Sequence, residues 1–211
     1  DPTTLGARCD VCPLGPKGAL RKDDWKPVGC EVHKGATVLA VAESPDPEEV
    51  QHGRALVGRS GGEWNRALAA CGHRRTDVDL DHVIACHLPG QASGALRRLD
   101  KAVDKLNRKR VKAGQEAVPH PLTCCRPRLL NVASRYPSIV TLGKLATNSL
   151  TGVGSSIHST RGGPMRITED WGVTNEDDET AHRLLPTLHP SFILRSPSWR
   201  HVLHADMGKA F

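Results

Sequence analysis

The chain carries seven cysteines, at positions 9, 12, 30, 71, 86, 124 and 125. Cys9-Asp-Val-Cys12 has the spacing of either a redox dithiol or half of a metal site. A redox CxxC follows a strand and opens a helix. This one instead opens a stretch containing Pro13, Gly15, Pro16 and Gly18, with no strand before it. That context favours metal. The odd number of cysteines, with no charged-then-apolar leader in view, argues against a secreted disulfide framework.

The second concentration of chemistry is charge. The 211 residues have a formal net charge of +6. Residues 96–113 hold Arg97, Arg98, Lys101, Lys105, Arg108, Lys109, Arg110 and Lys112 against Asp100 and Asp104, so this segment alone accounts for the excess. A concentrated basic stripe is the footprint of a polyanion binder. A solvated helix face would read the same way. Hydrophobic residues make up 38% and charged residues 25%, which suits one buried domain over residues 1–211. No apolar run approaches the roughly 20 residues of a membrane span. The expected location is the cytoplasm, nucleoid-associated or phage-encoded. A first residue other than Met fits a processed product or a piece of a longer protein.

Residues 36–42 form a short apolar run of the buried-strand type. Residues 63–70 read as a helix closed by Gly72, and 78–86 as a second strand. Leu96, Leu99, Val103 and Leu106 recur at helical spacing, giving an amphipathic helix with a basic outer face. Residues 126–134 read as helix, 138–143 as a third strand with a glycine stop, and 144–151 as helix. Residues 152–180 read as loops, 184–188 as a fourth strand and 199–210 as a closing helix. Strands alternating with helices predict an α/β fold: a three-layer αβα sandwich around a mostly parallel four-stranded sheet. Ligands of such sheets bind beyond the carboxyl ends of the strands. The segments to inspect are 43–62, 86–89 and 189–197.

Two of these segments, with two further motifs, carry a resemblance. Ala42-Glu-Ser-Pro-Asp-Pro-Glu-Glu-Val-Gln-His-Gly-Arg-Ala-Leu-Val-Gly-Arg-Ser-Gly61 closely resembles, without gaps, the GEAPGxxEDxxGxPFVGxAG segment of the iron–sulfur (family 4 type) uracil-DNA glycosylases. Thr187-Leu-His-Pro-Ser-Phe-Ile-Leu-Arg-Ser-Pro197 is similar to that family's second signature, His-Pro followed by small and apolar residues and Arg-x-Pro. Cys125-Arg-Pro127 is similar to the Cys-x-Pro that carries its last cluster ligand. Residues 138–146 resemble its third core strand and the following helix. The four motifs come in family order and span nearly the whole chain.

The resemblance implies a [4Fe–4S] cluster held by Cys9, Cys12, Cys86 and Cys125 in an N-terminal lobe, with Cys124 the rival to Cys125. Zinc ribbons place their halves about 15–20 residues apart; the gap from Cys12 to Cys86 is far longer, so such a site is closed by the tertiary fold. The resemblance also implies DNA, single- or double-stranded, as partner, and a fused or associated replication or repair protein. Glu43 would position water and His189 would donate to the leaving base, although a histidine there can also cap a helix or fill a core. Ala42, Ser44, Asp46, Leu56, His82, Ser191 and Arg195 would line the substrate site. Arg97, Arg98, Lys101, Lys105, Arg108 and Lys109 would meet DNA from a basic insertion over residues 87–124. The family's stacking aromatic falls on Leu56 and its base-reading asparagine on His82; its two glycines become Ala42 and Asp46. Trp64 and Phe192 are the nearby rings. These departures imply either an altered base preference, toward uracil or a modified pyrimidine, or a glycosylase-like DNA-binding module without activity. A zinc-bound interaction domain is a third reading.

Overall fold

The computed structural model describes residues 1–21, 26–88, 94–168, 170–174 and 181–211. Its centre is a six-stranded sheet of order β2-β1-β3-β6-β4-β5. Strands β1 (Val38–Ala42), β2 (Val78–His82), β3 (Ser138–Leu142) and β6 (His182–Thr187) are mutually parallel. Short β4 (Met165–Ile167) and β5 (Val173–Thr174) add an antiparallel edge next to β6. The expected sheet of four is thus the parallel core of six. The added pair lies in the segment expected to be loops, which also holds the one-turn helix α6 (Ile157–Thr160). Strands of two and three residues are too short to carry a period-two signal.

The helices are α1 (Pro47–His52), α2 (Arg59–Ala70), α3 (Ala95–Lys112), α4 (Pro121–Ala133), α5 (Lys144–Thr151), α7 (Pro190–Arg195) and α8 (Arg200–Met207). Side chains alternate across the sheet, as the period of a strand requires. Leu39, Val41 and Ile139 face one core with Leu99 and Val103 of α3, Leu129 of α4 and Leu150 of α5. Ala40, Val140 and Leu185 face the other, with Trp64 and Leu68 of α2, Ile193 of α7 and Leu203 of α8. Helices therefore cover both faces, as a buried parallel sheet demands.

Several boundaries differ from expectation. β2 ends at His82, so Cys86 lies in the turn that follows. α4 begins at Pro121, five residues earlier than expected, capped by His120 and placing Cys124 and Cys125 on its first turns. α8 is shorter than the expected closing helix and is preceded by a 3-10 turn, Pro197–Trp199. Residues 89–93, within the expected insertion, lie outside the described residues, as do Glu169 and 175–180 of the expected loops. The basic helix itself is present. Leu99 and Val103 are buried, while Arg97, Arg98, Lys101, Lys105, Arg108 and Lys109 are exposed. Asn107 ties the return segment to the helix through both backbone groups of Val118, at 2.8 and 3.1 Å.

Candidate functional site

The carboxyl ends of β1, β2, β3 and β6 come together at one edge of the sheet. Ala42 and His82 are register partners there, and pairing continues past the strands through Val83 N–H to the Ala42 carbonyl and Ile84 N–H to the Glu43 carbonyl. Glu43 and His189 approach each other over Gly143, which follows β3. A Cβ on Gly143 would lie 3.1 Å from Glu43 Oε1 and 3.3 Å from the His189 Cβ. Gly143 has φ +90°, a conformation that glycine adopts freely. The sequence shows this residue only as a strand stop; its place between two candidate catalytic groups is visible only in the fold.

His189 is the N-cap of α7. Its Nδ1 accepts from Ser191 N–H at 3.1 Å and lies 2.8 Å from Ser191 Oγ. The helix-capping role and a site role are therefore compatible. With Nδ1 accepting a backbone N–H, the neutral ring carries its proton on Nε2. Burial pulls the His189 pKa down to about 4; Glu49 opposes this and His82 and Arg195 reinforce it. Burial pushes Glu43 upward, against the Leu145 backbone N–H and the charge of Arg195, which is exposed at the end of α7.

A second group gathers around Glu49, which the sequence reading did not single out. Its carboxylate is buried and accepts from Asp46 N–H at 2.6 Å and from Leu56 N–H. Oε1 also lies 3.5 Å from His82 Nε2. Burial opposes its ionisation, but His82 and these backbone donors outweigh burial and hold the carboxyl below its usual range. Asp46 returns the contact by accepting from Glu49 N–H at 2.8 Å, forming a capping box. The Asp46 carboxylate is thus engaged in ending the turn after Ser44. Leu56 sits at φ +47°, rare for a residue with a branched side chain, and is buried. Its carbonyl accepts from Arg75 Nη1 at 2.9 Å, and a Cβ at Gly61 would stand 1.8 Å from that oxygen. Arg75 is in turn held by Glu31 at 3.0 and 2.7 Å. Neither suggested ring replaces a stacking face simply: Trp64 is wholly buried in the core, and Phe192 packs edge-on against His158 and Trp199.

On the other side of β2, Arg128 of α4 is buried and pairs with Asp81 through Nη1 at 2.8 and 2.7 Å. Its Nη2 donates to the His82 carbonyl, and His82 N–H donates to Asp81 Oδ1 at 2.7 Å. Arg128 also lowers the thiol pKa values of Cys9, Cys86 and Cys125 against the burial that raises them. Cys86 is pushed up to about 12, first by burial and then by Cys125 and Cys9. Cys12 is raised mainly by burial, with Cys124 and Cys125 adding to it. These mutual effects place Cys9, Cys12, Cys86, Cys124 and Cys125 close together, and all are free thiols. The loop after Cys12 wraps tightly on it: a Cβ at Gly15 would meet the Cys9 carbonyl oxygen at 1.8 Å, and one at Gly18 the Pro13 oxygen at 2.2 Å. Three chain segments so deliver soft donors to one half-buried place, which suits a thiolate-bound metal group. Among the described residues, no three His, Cys, Asp or Glu side chains are arranged to hold a single metal ion. Cys30 packs at the edge of the same core, and Cys71 donates to the His204 carbonyl at 3.4 Å.

A parallel α/β sheet with carboxylate, imidazole and a glycine-walled gap at its carboxyl edge defines a class of ligand-binding α/β domain. The sequence profile of the uracil DNA glycosylase superfamily matches residues 31–206, and the chain belongs to that superfamily. It is 28% identical over 207 residues to a type-4 uracil-DNA glycosylase of Thermotoga maritima, covering 96% of this chain and 88% of the relative. A type-4 uracil-DNA glycosylase of Pyrobaculum aerophilum is 25% identical over 203 residues, with the same coverage. Among the described residues, no helix is long and apolar enough to cross a membrane.

Proposed function

We propose that the protein is a DNA glycosylase that hydrolyses the N-glycosidic bond of uracil or a modified pyrimidine in DNA. The observation that carries this reading is the pair of Glu43 and a neutral His189 flanking Gly143. Such a reaction builds positive charge on the sugar and negative charge on the leaving base. Glu43 holds a water near the sugar, and its carboxylate favours the developing cation. His189 donates from Nε2 to the base oxygen, a role that an imidazole locked in one tautomer performs without first gaining a proton. Ala42, Ser44 and Leu56 wall the base, Asp46 fixes the turn that carries them, and Ser191 and Arg195 of α7 meet the DNA backbone beside it. Arg97, Arg98, Lys101, Lys105, Arg108 and Lys109, in a basic insertion spanning residues 87–124, add phosphate contacts that raise affinity without reading sequence.

Cys9, Cys12, Cys86 and Cys125 would hold a [4Fe–4S] cluster. The cluster supplies a structural cross-link, tying the N-terminal lobe to the turn after β2 and to α4. The expected partner is DNA, with a replication or repair protein fused or associated.

Base release from single-stranded oligonucleotides carrying uracil or modified pyrimidines, followed by strand cleavage in alkali, tests the reading. Uracil release that is lost in both Glu43→Gln and His189→Ala supports it. A second reading, a DNA-binding module without activity, is favoured by Leu56, which offers no ring face for stacking. Salt-sensitive DNA binding without release of any base would establish that reading instead.

A further inference from the structure

Three rings meet beside the candidate site. Phe192 of α7, Trp199 of the 3-10 turn that follows it and His158 of α6 have centroids 5.2 to 6.0 Å apart, each pair edge-on at 62–72°. The chain holds only four Trp and two Phe, so one of each beside an imidazole concentrates stacking surface in a sequence poor in it. Burial does not account for the group. Phe192 rests one side on the core, but Trp199 is 36% exposed and belongs to neither core cluster, and His158 is exposed. Edge-on packing fixes the rings against one another without the parallel stacking that would occupy a whole face.

The place of the rings relates them to the site. His189, Phe192 and Arg195 follow at intervals of three along α7 and so share one side of it, while Ile193 is buried. Phe192 N–H donates to the His189 carbonyl at 2.8 Å. Three residues of helix advance about 4.5 Å, on the order of the roughly 3.4 Å step between nucleotides of one strand. The ring therefore stands about one nucleotide from the imidazole. The charge beside it suits a phosphate backbone. Arg195 is exposed. The carboxylates that anchor the neighbouring helices, Glu63 of α2 and Asp206 of α8, are buried and paired with Arg200 at 2.8 and 3.0 Å and with Arg161 at 2.8 Å. Neither presents an open negative charge.

We propose that His158, Phe192 and Trp199 form a platform that stacks the base next to the extruded nucleotide of a single strand, with Trp199 the principal ring. Stacking on an aromatic face is open to every base, because every base has a π-face. The platform thus fixes the strand beside the pocket and favours unpaired DNA without adding a sequence preference. The inference rests on the glycosylase reading above and deepens it by naming the form of DNA that the site takes.

The test uses the full chain and a single-stranded oligonucleotide carrying 2′-fluoro-2′-deoxyuridine, whose fluorine slows bond cleavage. A tetrahydrofuran residue, which keeps the backbone but has no base, replaces each nucleotide flanking the uracil in turn. At one flanking position, loss of the base should weaken binding roughly five- to hundredfold. Trp199→Ala should weaken binding of the intact oligonucleotide by a similar factor and leave binding of the one lacking that base nearly unchanged, because both deletions remove the same contact. Trp199→Phe, which keeps a ring, should restore much of the difference. Equal loss in Trp199→Ala with and without the flanking base at every position, or no loss at all, overturns the inference; uracil still released under those conditions leaves the glycosylase reading intact. If Trp199 and a flanking base are coupled but no base is ever released from unfluorinated oligonucleotides, the enzyme reading fails and the platform stands. If no oligonucleotide binds, both fail.

Discussion

Two side chains at the sheet edge titrate in opposite directions from their ordinary values, and that difference assigns the pH dependence. Burial holds His189 near a pKa of about 4, so it is neutral through the mildly acid range. Burial raises Glu43, so its carboxylate is the form lost first on acidification. If the ionised Glu43 and neutral His189 are the working forms, the acid limb of a single-turnover rate profile belongs to Glu43. The limb should lie above the range in which an ordinary glutamate titrates and vanish, along with most of the rate, in Glu43→Gln. A ¹H–¹⁵N titration of His189 should meanwhile show no protonation until the pH nears its lowered value. A depressed histidine also affects stability. Between about 4 and the ordinary 6.5 the unfolded chain binds a proton that the folded chain does not. The contribution of His189 to stability is therefore complete above 6.5 and is lost as the pH falls toward 4, a loss that His189→Gln should remove from the urea midpoint.

At the scale of elements, α4 does two tasks at once. Its first turns carry Cys124 and Cys125, and one turn further on Arg128 grips Asp81 and the backbone of His82. Removing the cation would leave the Asp81 carboxylate buried with the His82 N–H but without its guanidinium. Arg128→Met should cost about 3–5 kcal/mol in urea unfolding, whereas Arg128→Met with Asp81→Leu should recover most of it. Helix α3 behaves differently because its charges face solvent. Replacing Arg97, Lys101, Lys105 and Arg108 by Gln leaves Leu99 and Val103 in the core and the melting temperature nearly unchanged. If each contacts a phosphate, the slope of log affinity for single-stranded DNA against log salt should flatten by roughly 0.7 per residue removed. A slope that stays constant would reduce α3 to a solvated face. The two helices also differ in how far the sequence reveals them. The seam of α3 is a clean three–four repeat, so its extent and its exposed face are legible from spacing alone. Arg128 falls on the apolar stripe with Cys124, Cys125, Leu129 and Val132, which marks it as unusual, but its partner lies across the sheet and no local pattern names it. The same holds for the site. Glu43 and His189 stand out because the family resemblance names them within segments that follow strands, whereas Glu49, Gly143 and the positive φ of Leu56 gain their meaning only from contacts between distant segments. Strands β4 and β5 escaped notice because so few residues carry no period.

For the molecule as a whole, the cysteines decide what joins the N-terminal lobe to the sheet. Five thiols gather there, and a four-sulfur site leaves one over. Cys125 raises the thiols of Cys9, Cys12 and Cys86, whereas Cys124 raises those of Cys9 and Cys12 and pairs by hydrogen bond with Cys12; both are buried in the core. Cys125 is therefore the proposed fourth ligand, since it acts on all three other candidates, with Cys124 the proposed buried thiol beside them. Protein purified without air should be brown and contain iron. Cys124→Ser should keep the iron and the colour, with a modest loss of stability from a hydroxyl in an apolar place. Cys125→Ser should lose both, and so should Gly15→Ala, because its added methyl collides with the Cys9 carbonyl and prevents the CxxC loop from closing. Limited proteolysis supplies a readout independent of iron: with the cross-link gone, cleavage should begin within residues 1–35 while the sheet and its helices persist. A colourless, zinc-loaded protein from the same preparation would remove the iron–sulfur assignment. Iron retained by Cys125→Ser and lost by Cys124→Ser would keep the cluster and transfer its fourth ligand by one residue along α4.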